Sequence, residues 1–84
     1  MDGYYVYAIV SETDGRIYVG IAHNPEERLK EHNSGKTKST KGFIPWSLFY
    51  TEYCGEAAQA RVREKYFKTS VGKRRLRAIL NSTR

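Results

Sequence analysis

The chain has 84 residues, a net charge of +6, one cysteine and two histidines. That length makes one small domain, 1–84, with a thin core; a lone Cys54 excludes an internal disulfide, and with two histidines it leaves no Cys/His metal cluster. No apolar run approaches the roughly 18 residues of a membrane span and no signal-peptide pattern opens the chain, so a reducing cytoplasmic setting without a membrane partner is expected, and Cys54 reads as a small buried hydrophobe.

Taken in order, Tyr4–Val10 and Arg16–Ile21 are aromatic and β-branched runs around a polar segment carrying Asp14-Gly15. Such residues suit a pleated, half-buried surface, and Asp-Gly is a strong hairpin signal. The two strands carry Tyr7 and Tyr18, which a hairpin can bring side by side; ordinary amphipathic strand tyrosines would show the same pattern. Asn24-Pro25-Glu26-Glu27 then supplies an N-cap, a first-position proline and first-turn acids. A helix is predicted from there to about Asn33, ended by Asn33-Ser34-Gly35. Leu29 is its only large aliphatic residue, whereas Arg28 and His32, four apart, share a face. Residues 34–42, SGKTKSTKG, read as an exposed loop bearing Lys36, Lys38 and Lys41.

Phe43–Tyr53, FIPWSLFYTEY, is a second aromatic-rich extended segment. Pro45 starts the strand proper near Trp46 or sets it at a sheet edge, beside one of the hairpin strands. A helix is predicted over Ala57–Lys68, with Ala57, Ala60, Glu64 and Phe67 along one face. Glu64 thus falls on the stripe facing the protein body, where a carboxylate is costly unless satisfied; pairing with Lys68 or Arg61 is the plain alternative. Ser70-Val71-Gly72 reads as a helix break. Lys73–Asn81 follows as a basic amphipathic helix, with Leu76, Ile79 and Leu80 inward and Lys73, Arg74, Arg75 and Arg77 around them. The expected class is α/β in the α+β sense: a small three-stranded antiparallel-type sheet flanked by about three helices, in the order β-β-α-β-α-α.

Charge is unevenly spread. Residues 1–56 hold six Lys/Arg against eight Asp/Glu, whereas 57–84 hold nine against one. A basic last third on a mildly acidic remainder points to a polyanion-facing surface, with a solvated basic helix face as the bland alternative.

Placed in sequence, Tyr5-Val6-Tyr7, Tyr18-Val19-Gly20, Glu27–Gly35, Pro45–Tyr50 and Ala60–Lys65 resemble the motifs of the GIY-YIG nuclease domain, in its small stand-alone bacterial form. The resemblance covers nearly the whole chain. Tyr5 stands where the first motif has its glycine, Val6 and Val19 replace both isoleucines, and Ile21-Ala22-His23 stands where UvrC-type members carry a lysine. Histidine at position 32 is a variant the family uses.

The resemblance implies hydrolysis of a DNA phosphodiester to a 5′-phosphate and a 3′-hydroxyl, in DNA repair or processing, with Tyr7, Tyr18, Arg28, His32 and Glu64 as the catalytic set. It also implies one divalent ion, Mg²⁺ or Mn²⁺, held by Glu64, an arrangement suited to an ion that retains waters. A tyrosine with a pKa of about 10 is too weak a base at neutral pH unless a neighbour favours its phenolate. Arg28 can supply positive charge, and stabilise the charge gathering on phosphoryl oxygens; His32 can accept a proton. Either tyrosine fits the role of base, and the preferred assignment gives it to Tyr7, with His32 as proton acceptor and Tyr18 orienting. Lys36, Lys38, Lys41, Arg63, Lys65, Lys73, Arg74, Arg75 and Arg77 are candidates for phosphate contacts, which give affinity and salt sensitivity rather than sequence choice. DNA is the expected partner, and the chain a monomer or weak homodimer. Two other readings compete: a nucleic-acid-binding module with little cleavage of its own, and a protein-interaction domain using Trp46, Phe49 and Tyr50 as exposed aromatics.

Overall fold

A computed structural model describes residues 3–83 of the chain. The elements are β1 (Tyr4–Ser11), β2 (Ile17–Ala22), α1 (Pro25–Asn33), β3 (Trp46–Gly55), α2 (Ala57–Phe67) and α3 (Ser70–Thr83). They give the β-β-α-β-α-α order and α+β class that the sequence implies. The strands form one antiparallel sheet in the order β2-β1-β3, so the first strand is central and both partners are edges.

The centre goes to β1 because it is apolar on both faces. Val6 and Ala8 point to one side, where they pack with Val19, Phe67 and Leu76 from β2, α2 and α3. Tyr7 and Ile9 point to the other, with Trp46, Leu29 of α1 and Phe43 and Ile44 of the connection into β3. The sheet therefore lies between two layers: α2 and α3 on one face, α1 and the 34–45 connection on the other. At the head of α1, the Asn24 side chain caps the helix by accepting from the Glu27 N–H at 3.2 Å, with Pro25 following it.

Four local expectations need correcting. The 34–42 segment is not simply an exposed loop: its lysines are exposed, but Thr40 is fully buried and leads into a 3-10 turn at Lys41–Phe43. Trp46 is buried, not exposed, and Phe49 and Tyr50 are half-buried: both pack against the α2–α3 layer and also line a surface hollow beside His23 and Asn24. Cys54 is half-buried rather than buried, with its thiol donating to the Glu52 carbonyl. Finally, Gly72 does not break the helix. It lies in the first turn of α3, where a Cβ would meet the Tyr66 carbonyl oxygen at 2.1 Å and the Phe67 Cα at 2.5 Å. The glycine lets α3 start hard against the end of α2, and the break shrinks to Lys68-Thr69.

Candidate active site

The hairpin register sets Tyr7 opposite Gly20 and Ile9 opposite Tyr18. A Cβ at Gly20 would fall 2.6 Å from the Tyr7 Oη, so the phenol lies directly across the glycine on the β2 edge strand. Tyr18 joins the same side of the sheet. Its ring meets His32 edge-on, with centroids 5.0 Å apart.

His32 comes from the last turn of α1 and is fully buried beneath these rings. Its Nε2 lies 2.8 Å from the Tyr7 Oη, and its Nδ1 lies 2.9 Å from the Thr40 Oγ1. One turn earlier, Arg28 stands half-exposed beside the phenol, acting on it by charge and by hydrogen bonding while its guanidinium is also paired with Glu31. Glu64 comes from α2, on the other layer, and its charge is the smallest of the influences on the Tyr7 hydroxyl. Glu64 is 26% exposed and pairs with Lys68 at 3.3 Å.

These neighbours set the protonation states. Burial, with Tyr18 and Glu64 adding to it, pushes the Tyr7 hydroxyl up to about 12 against the lowering pull of Arg28. Burial and then the Arg28 charge hold His32 below its ordinary value, which leaves its imidazole neutral at physiological pH. A fully buried, neutral imidazole bonded to a buried phenol is an acid–base pair shielded from solvent, under the charge of Arg28.

Residues 3–77 match the family model described as the GIY-YIG catalytic domain. The chain belongs to the GIY-YIG family. A UPF0213 protein of Bacillus licheniformis is 38% identical over 79 residues, covering 93% of this chain and 80% of that protein. A UPF0213 protein of Staphylococcus aureus strain N315 is 38% identical over 80 residues, covering 94% and 96%. No solved structure matches the chain.

The GIY-YIG motifs thus have physical places. The second motif's glycine, Gly20, is the gap through which the first motif's tyrosine passes. Among the described residues no group of three or more His, Cys, Asp or Glu gathers to hold a metal. The half-buried Glu64 carboxylate fits a hard ion that keeps most of its waters, and does not fit one that needs a protein cage.

The candidate phosphate contacts are dispersed. Lys36, Lys38 and Lys41 are exposed on the 34–45 connection, and Lys65 on α2. Arg63 instead grips Glu52 through its Nε at 2.7 Å and Nη2 at 3.1 Å, and lies over Tyr66 and Phe67. The Arg75 charge adds a smaller pull on the same carboxylate. Lys73, Arg74 and Arg77 line a hollow of about 480 Å³ with Arg16, Ile17 and Ser70, next to the start of β2. A hollow of about 630 Å³ between Tyr5, His23, Asn24, Leu48 and Thr51 is lined by none of the five GIY-YIG residues.

Sequence reasoning passed over Thr40 and Asn33. Asn33 reads as a helix terminator, but its side chain clamps the Trp46 backbone, accepting from its N–H at 2.7 Å and donating to its carbonyl at 3.0 Å. Thr40 sits in a Ser/Thr/Lys-rich stretch that gives no sign of burial.

Proposed function

We propose that this chain is a metal-dependent DNA endonuclease serving DNA repair or processing in the cytoplasm, with Tyr7 as general base, His32 as its proton acceptor, Tyr18 orienting the rings, Arg28 binding the phosphoryl oxygens and Glu64 holding one Mg²⁺ or Mn²⁺. The observation that carries the reading is the buried Tyr7–His32 hydrogen bond, with the Arg28 charge acting on the phenol.

With a hydroxyl near 12, only about one Tyr7 in 10⁵ is phenolate at pH 7. The base is therefore not preformed. As the attacking water gives its proton to the Tyr7 oxygen, the phenol passes its own proton to His32 Nε2, so a neutral pair becomes neutral tyrosine and imidazolium. The water oxygen bonds to phosphorus, the bond to the 3′ oxygen breaks, and that oxygen takes a proton from solvent. A 5′-phosphate and a 3′-hydroxyl result. Arg28 meets the negative charge that collects on the non-bridging oxygens. A divalent ion at Glu64 would polarise the phosphate and stabilise the leaving oxygen.

The test is nicking of supercoiled plasmid, with flap and cruciform DNA alongside, in Mg²⁺ and in Mn²⁺. Tyr7→Phe, Arg28→Ala and Glu64→Ala are each expected to lower the rate by about 10² or more. Cutting retained by all three, with copurifying nuclease ruled out, overturns the reading. One observation favours the alternative of a DNA-binding module: Arg28 and Glu64 already have partners, in Glu31 and Lys68. Salt-dependent DNA binding without cleavage in either metal would establish it.

A further inference from the structure

The Tyr7–His32 bond does not end at His32. The imidazole Nδ1 meets the Thr40 Oγ1 at 2.9 Å, and that hydroxyl in turn donates to the Thr37 carbonyl at 3.3 Å. A carbonyl cannot donate, so the Thr37 end sets the direction of the chain. Thr40 donates to Thr37, Nδ1–H donates to Thr40, and Tyr7 donates to Nε2. In the opposite tautomer the Thr40 proton would leave the Thr37 carbonyl for Nδ1. His32 would then present Nε2–H to Tyr7, and the imidazole would have no lone pair there.

Thr40 is itself held still. It is fully buried, its carbonyl accepts from the Trp46 indole N–H at 2.9 Å and the Phe43 N–H at 3.1 Å, and its own N–H reaches Thr37 at 3.1 Å. Trp46 is in turn clamped by Asn33, next to His32 on α1. The hydroxyl therefore faces the imidazole from a rigid mount.

We infer that Thr40 is a positioning residue: by accepting from His32 Nδ1–H it holds the imidazole in the tautomer whose Nε2 can take the Tyr7 proton. Its catalytic consequence rests on the endonuclease reading; its structural content does not. Partners that fix the far nitrogen of a functional histidine set both tautomer and ring orientation.

The test is a two-bond ¹H–¹⁵N correlation spectrum of the imidazole rings of ¹⁵N-labelled protein at neutral pH, with His23→Gln to assign the two histidines. Wild type is expected to show His32 protonated at Nδ1 and bare at Nε2. Thr40→Ser and Tyr7→Phe should keep that tautomer, whereas Thr40→Val should convert it in whole or part to Nε2–H. His23, whose Nδ1 donates to the Gly3 carbonyl at 2.9 Å, is the internal reference and should not move. A wild-type His32 protonated at Nε2, a Thr40→Val spectrum unchanged from wild type, or a tautomer flipped by Tyr7→Phe would each overturn the inference. If circular dichroism shows Thr40→Val unfolded, the wild-type, Thr40→Ser and Tyr7→Phe spectra decide the question. In cleavage assays, Thr40→Val is expected to lose about tenfold to a hundredfold in kcat with little change in KM, and Thr40→Ser to recover it. An inactive wild type with the expected tautomers sinks the endonuclease reading alone; an active one with unmoved tautomers sinks the positioning role alone.

Discussion

A methyl group on Gly20 would sit 2.6 Å from the Tyr7 oxygen and 2.8 Å from its Cζ, well inside van der Waals contact. Gly20→Ala must therefore push the phenol off His32 or bend the edge strand. The expected outcome is a loss of about 1–3 kcal/mol by urea unfolding, with cleavage falling further than that loss explains. His32 makes a second prediction at this scale. Its folded pKa lies below the ordinary 6.5, so between those values the unfolded chain binds more protons than the folded one. The stability from keeping His32 neutral is then full above about pH 6.5 and is lost as pH falls through the folded value. An NMR titration should give His32 a midpoint below 6.5, and urea midpoints should drop between pH 7.5 and 5.5.

Between α2 and α3, propensity and packing make opposite predictions for one residue. Helix propensity alone has Gly72→Ala stabilising by up to about 1 kcal/mol. The Tyr66 carbonyl 2.1 Å from the new Cβ is backbone and cannot swing aside, so the variant is expected to lose about 1–3 kcal/mol in chemical denaturation. The same contrast marks what the sequence could tell. The hairpin, the Asn24-capped helix and the strand from Trp46 were legible because strand patterning, caps and proline act locally. Arg28 and His32 were legible as a pair because helical spacing places them together. Gly72 was misread as a breaker, Gly20 carried no reason of its own, and Thr40 looked like solvated loop. Each of these depends on a contact across elements: α2 against α3, Tyr7 across β2, and the 34–45 connection folded under α1. Glu64 stood in between: its place on the stripe was visible, but only the fold shows it half-buried and paired with Lys68.

Across the whole molecule the basic last third is not one surface. Arg63 is bound to Glu52, which accepts from it and from the Tyr50 hydroxyl and is held below the ordinary carboxylate range mainly by Arg63, with a smaller pull from the Arg75 charge. Lys73, Arg74 and Arg77 face the other way, toward Ile17 on the strand that carries Gly20. Of these, Arg77 is tied to the Gly15 carbonyl at 3.0 Å, which leaves Lys73 and Arg74 as the candidate phosphate contacts of that hollow, on the α2–α3 face of the sheet and not on the face that carries Tyr7 and His32. Two variants separate the groups. The double substitution Lys73→Ala, Arg74→Ala is expected to weaken DNA binding on all sequences and to flatten the salt dependence by about one unit of log–log slope per lost contact. Its unfolding free energy in urea should stay within about 0.5 kcal/mol of wild type. Arg63→Ala should do the reverse, losing about 1–2 kcal/mol of stability from its ion pair and its place over Tyr66 and Phe67, with the salt slope unchanged. Fluorescence anisotropy over a salt series, run beside urea unfolding, reads both. A slope that falls with Arg63 and holds with Lys73 and Arg74 would overturn the assignment of phosphate contacts to the Lys73–Arg74 hollow.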